Sequence, residues 1–149
     1  VRQRLLPESG AVTQIALSAM DDWGAEIAEK DAPVLVILEG LTMYLNEADI
    51  QQIFAVIAQR FPKVTVLAET MNPTMARRFK EKSIEGSRAK FTFGVKDGRT
   101  FAVLLPGFRY AGEHCLTEGM AVFVPIYRLL HKIPAIRDLS NRIVVLERG

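Results

Sequence analysis

Two short apolar runs, each ending in a carboxylate and separated by a helical pattern, leave this chain few folds to choose from. The first is Val34 to Leu38, five apolar residues rich in β-branched side chains, followed by Glu39 and Gly40. A run of that kind, apolar on both faces, predicts a strand buried on both sides, as in a parallel sheet. Asn46 is a favourable N-cap and Asp49 three residues later makes an imperfect capping box. Ile50, Ile53, Phe54, Ile57 and Phe61 recur at the spacing of one helical face, and Pro62 stops the helix. The second run, Val64 to Ala68, ends in Glu69. Strand, helix and strand in this span predict a right-handed βαβ crossover. Glu39 and Glu69 then stand at the carboxyl ends of neighbouring parallel strands, where open α/β sheets place their ligands.

The flanking sequence is less regular. Val1 to Leu6 predicts the end of a helix, cut by Pro7 and the Ser9-Gly10 turn. Val12, Ile15 and Leu17 predict a short strand, Ser18 to Asp22 a loop, and Trp23, Ile27 and Ala28 a short helix. Beyond the TMNP breaker at 70–73, Met75, Phe79, Lys82 and Ile84 predict a helix up to Gly86. Its basic side, Arg77, Arg78, Lys80 and Lys82, reads as a solvated face because Glu81 and Glu85 interrupt it. Phe91, Phe93 and Val95 alternate like a strand, Asp97-Gly98 is a turn, and Phe101 to Leu105 suggests one helical turn before Pro106-Gly107. Phe108 to Leu116 and Ile143 to Leu146 predict two late strands that pair antiparallel. Met120, Phe123, Val124, Tyr127 and Leu130 have helical spacing that Pro125 must kink or begin, and 133–141 reads as a loop or short turn.

With 149 residues, 49% of them hydrophobic, the chain can bury one core. Nineteen basic against 17 acidic residues give a net charge of +2, too small to imply nucleic acid. No apolar run approaches the ~18 residues of a membrane span, and no signal peptide is visible. One cysteine, Cys115, fits a reducing cytoplasm. His114 and Cys115 should point to opposite faces of a strand, and His131 has no companions at metal spacing, so no metal is expected.

The motif Glu39-Gly40-Leu41-Thr42-Met43-Tyr44-Leu45, with the preceding apolar strand and the Arg60-Phe61-Pro62 helix end, resembles the leucine carboxyl methyltransferase family. The likeness is closer to its bacterial branch, the polyketide-type O-methyltransferases of the tetracenomycin kind. Arg4-Leu5-Leu6-Pro7, Ser18 to Trp23, Pro106-Gly107-Phe108 and the closing Arg142 to Arg148 also fit. The resemblance implies an α/β, Rossmann-like methyltransferase sheet ordered 3-2-1-4-5-7-6, with its last strand antiparallel. It implies S-adenosylmethionine (SAM) as cofactor, contacted by Glu39 and by the pair Ser18-Ala19. Tyr44 would stand near the pocket of a small-molecule or carboxylate acceptor. No GxG occurs in the sequence, and the family's first two strands, with that glycine-rich loop, would lie before Val1. Residues 1–149 are thus expected to be the C-terminal part of a class I SAM methyltransferase domain with an incomplete cofactor site. Val34 to Leu38 would then lie along an open edge, to be covered by residues 12–17, by a further N-terminal piece or by a second copy in a homodimer. The alternatives are a non-catalytic dimeric remnant acting as a binding or regulatory domain, and an unrelated α/β binding domain.

Overall fold

A computed structural model describes residues 10–28, 32–78, 89–130 and 132–149. The Val1–Leu6 helix with its Arg4–Pro7 motif, the continuation of the 73–86 helix with Lys80 and Lys82, and His131 lie outside the described residues.

The predicted strand–helix–strand unit forms, with its two strands parallel. Strand β1 is Val34–Leu38, helix α1 Glu47–Arg60 and strand β2 Val64–Thr70. β1 and β2 are parallel and in register from Val34 opposite Val64 to Leu38 opposite Ala68. The capping box is complete. Asn46 accepts from the Asp49 amide at 2.9 Å, and Asp49 accepts from the Asn46 amide at 3.3 Å. Two donors that the helix leaves unpaired are thereby satisfied. The helix ends at Arg60, two residues before Pro62.

After β2 follow α2, Pro73–Arg78; α3, Gly98–Val103; and β3, Arg109–Cys115. Three short helices come next: α4, Leu116–Phe123; α5, Tyr127–Leu130; and α6, Pro134–Leu139. Strand β4, Arg142–Arg148, ends the chain. The sheet order is β1-β2-β4-β3, with β4 antiparallel to both neighbours. The late antiparallel pair was expected, and β4 also enters the sheet between β2 and β3.

Sequence and structure part in several places. Asp97-Gly98 is not a free turn: the Asp97 carboxylate caps α3, accepting from the Thr100 amide at 2.8 Å. The Phe91–Val95 stretch does not join the sheet. Its amides at Thr92 and Phe93 donate to the Met43 carbonyl, and that of Val95 to Met71. Pro125 ends one helix and precedes another instead of kinking one. Residues 134–139 are helical, begun by Pro134 in the first turn, where a missing N–H costs nothing.

Residues 12–17 do not form a strand. The segment runs beside β1 across a cleft, and Val12, Ile15 and Leu17 remain exposed. The expectation that β1 is buried on both faces also fails. Val34, Val36 and Leu38 are half-buried, whereas Leu35 and Ile37 are 57% and 61% exposed. β1 is an edge strand, and among the described residues little packs over the face that carries Leu35 and Ile37, so only its other face meets the core.

That core lies on the α1 side of the sheet. Ile50, Ile53, Phe54 and Ile57 pack on Val64, Val66, Ala68, Val144 and Leu146, and Phe101, Leu105 and Phe108 close the far end. Each such aliphatic or aromatic side chain contributes about 1.5–3 kcal/mol through the water-exposed area it loses. Trp23, in a 3-10 turn at Trp23–Glu26, lies against Phe61 with ring centroids 6.1 Å apart. This contact brings the 18–23 loop to the end of the crossover.

The cap of α3 makes stability sensitive to acid. The hydrogen bond from the Thr100 amide holds the Asp97 carboxyl below its ordinary value of 3.8, with help from the Thr100 side chain, Lys96 and Arg142. A lowered folded-state value means that the unfolded chain binds the proton more tightly. The contribution is therefore present above pH 3.8 and is lost as the pH falls through the lowered value. Asp97→Asn keeps a capping oxygen without the titration. Its melting temperature should track that of the wild type near neutrality and fall less steeply in acid; parallel acid curves would count against the cap.

Candidate functional site

The carboxyl ends of β1 and β2 gather most of the residues singled out from the sequence. Gly40 turns the chain out of β1 with φ of +62°, a left-handed conformation that a side chain disfavours. Its amide donates to Glu69 Oε2 at 2.9 Å. Glu69 is only 8% exposed, and its Oε1 accepts from Asn141 Nδ2 at 2.8 Å. The Thr42 hydroxyl donates to the Glu69 carbonyl. Glu69 is thus not a solvated acid: it ties the strand ends together, and its second partner stands where the helical segment returns to the sheet.

Glu39 is exposed, one residue beyond β1. Its carboxylate makes no hydrogen bond or ion pair with a described residue, so its acceptor capacity is available to a ligand.

Ser18 and Ala19 line a cleft of about 300 Å³ with Ile15, Leu17, Trp23, Val36, Ile37, Leu38 and Ile53. That volume sits at the small end of the ~300–1,000 Å³ usual for small-molecule sites. The loop carrying the pair is held in place. The Ser18 amide donates to Asp21 Oδ2 at 2.9 Å, the Asp21 amide to the Ser18 carbonyl at 3.0 Å, and Trp23 Nε1 to the Ala19 carbonyl at 2.9 Å. Ser18, Ala19 and Leu38 therefore share one cleft, and Glu39 follows at the end of the strand that forms its wall.

Tyr44 is not brought to this cleft. It lies in a 3-10 turn, Thr42–Tyr44, packed on Phe91 with ring centroids 5.0 Å apart. His114 and Cys115 diverge as their alternation requires. His114 is exposed and reaches Glu118 at 3.7 Å, whereas Cys115 is buried with Sγ 2.5 Å from Thr117 Oγ1. Among the described residues no group of three His, Cys, Asp or Glu could hold a metal ion. No helix among them is long and apolar enough to cross a membrane.

Sequence reasoning missed Asn141, which lay in a stretch read as a loop and carries no local pattern. Glu69 offered one signal, a charge closing a buried strand.

Over 121 residues the chain is 30% identical to the tetracenomycin polyketide synthesis O-methyltransferase TcmP of Streptomyces glaucescens. The matched span is 80% of this chain and 44% of that protein, so the chain spans less than half the length of this curated relative. No family model matches the chain, and no solved structure matches it. The comparison relates this mixed α/β chain to an O-methyltransferase.

Proposed function

We propose that this chain is part of a SAM-dependent O-methyltransferase domain and carries a portion of the cofactor site. The carrying observation is the cleft at the carboxyl end of β1, where the Ser18-Ala19 loop meets the strand that leads into Glu39, whose carboxylate has no partner among the described residues. Two findings support it. The similarity to TcmP covers most of the chain, and the order β1-β2-β4-β3 with β4 antiparallel corresponds to the 4-5-7-6 portion of a Rossmann-like methyltransferase sheet.

The residues present fit the group. An apolar cleft of about 300 Å³ suits a flat base, and a carboxylate such as that of Glu39, the residue after Leu38 in the cleft wall, can accept from paired hydroxyls through its two oxygens. SAM, when bound, supplies a methyl carbon activated by its sulfonium. The protein's part is to hold cofactor and acceptor in line, which lowers the barrier by positioning. A carboxylate acceptor, ionised near neutral pH, needs no general base, whereas a phenol needs one. With no GxG in the sequence, the chain by itself holds a partial site and binds weakly.

Calorimetric titration of SAM tests this. The wild type should bind, and Glu39→Gln, which loses the charge but keeps the shape, should bind about tenfold or more weakly. A folded protein that gives no heat, or an unaffected Glu39→Gln, refutes the assignment of Glu39.

Among the described residues no strand pairs with the outer edge of β1, which favours a second reading, in which the chain is a non-catalytic dimeric remnant that uses this edge to pair with a second copy. The two readings differ in whether SAM binds.

A further inference from the structure

We infer that Glu69 is a positioning residue, which sets the Glu39-Gly40 turn and couples it to the helical segment 116–139 through Asn141. The inference rests on the reading of Glu39 as a cofactor contact and adds a link within that site.

The link is continuous. Asn141 closes the helical segment: its carbonyl accepts from the Leu116 amide at 2.9 Å, so the segment's two ends meet at this residue. Its side chain donates to Glu69 Oε1 at 2.8 Å, and Glu69 Oε2 accepts from the Gly40 amide at 2.9 Å. A third bond, from the buried Thr42 hydroxyl to the Glu69 carbonyl, fixes the next residues of the same turn. Asn72 adds a second tie from the end of β2 to the segment, donating to the Asp138 carbonyl at 2.7 Å. A buried carboxylate with one donor on each oxygen has one satisfied arrangement, and hydrogen bonds to charged groups are the stronger kind. Displacing the helical segment therefore pulls on Asn141, then on Glu69, then on the amide next to Glu39. The segment hangs at the end of the sheet where the cleft opens, since Arg142 at its return pairs with Thr70 at the end of β2. Whatever binds against it will bias the turn, and a turn held in its binding geometry spares a ligand the cost of ordering it.

The decisive experiment measures hydrogen exchange at the Gly40 amide, with the Ile57 amide in the core of α1 as reference for global opening, alongside SAM titration. Asn141→Asp places a second carboxylate against Glu69 and should cut Gly40 protection about tenfold relative to Ile57. Adding Glu69→Gln should restore it, because the new side-chain amide can accept from Gly40 through its oxygen and donate through its nitrogen to the carboxylate that replaces Asn141. Should Asn141→Asp fail to fold, Asn141→Ala, which deletes only the donor, should lower Gly40 protection in the same direction. SAM affinity, where present, should fall and recover with Gly40. A purely structural role would move both amides together and would overturn the inference, as would a double variant that restores neither readout. Gly40 responding as described in a protein that binds no SAM would uphold the link and count against the methyltransferase reading alone.

Discussion

Phe54→Ala should lower the free energy of unfolding by about 3–5 kcal/mol, the range for removing a large aromatic ring from a packed core. The ring is 2% exposed and meets Phe108 edge-on at 4.9 Å and Phe101 edge-on at 5.9 Å. It therefore joins α1 to the segment around α3. Such edge-to-face pairs contribute about 0.5–1.5 kcal/mol beyond the area they bury, so the loss should fall in the upper part of the range. For a chain of this size each kcal/mol lowers the melting temperature by roughly 2–4 °C, and calorimetry would show a drop of ~6–20 °C. Phe123→Ala is the control. Phe123 is 85% exposed, so its removal should change stability by no more than about 0.5 kcal/mol. Similar losses for both would mean that the aromatic junction is not where the core is held.

The second large effect concerns the β1 edge. If a second copy pairs there, as the dimeric reading proposes, sedimentation equilibrium should find a dimer at ~100 µM, and Ile37→Asp should weaken it about 30-fold or more. β1 carries no charged residue within Val34–Leu38 and no proline, the usual means by which edge strands repel one another. Leu35 and Ile37 project from the same face beside that edge, and antiparallel pairing about a two-fold axis would set them next to their counterparts. An aspartate at that position would then be desolvated without a partner. In the isolated chain the substitution sits in water and should leave the melting temperature nearly unchanged. A wild type that is monomeric at that concentration refutes pairing at β1.

The crossover was legible because each of its signals is local. The alternation of strand and helix, the Asn46 cap and the Pro62 stop each act within a few residues. The open face of β1 was not legible, because five consecutive apolar residues read the same whether both faces are covered or one. Residues 12–17 misled for a related reason: apolar spacing signals what a segment can bury, whereas a strand also needs a partner within hydrogen-bond reach. Of the candidate site, Glu39 was singled out by its strand-end position and by the resemblance, and Ser18 and Ala19 by the resemblance alone. Asn141 was invisible because it acts on Glu69 from 72 positions away, a separation that no periodicity records. Tyr44 packs on Phe91 for the common reason that an aromatic ring beside another gains more by contact than by facing solvent.

The meeting of Leu116 with Asn141 makes residues 116–141 resemble a cassette plugged into a socket. Both prongs enter the sheet at one point, bridged by a single amide-to-carbonyl bond of 2.9 Å. A longer or differently shaped graft could be spliced between those two residues with little change in loop-closure entropy, which grows only with the logarithm of length. Such exchanges would leave the scaffold's strand registers untouched while altering what overhangs its rim.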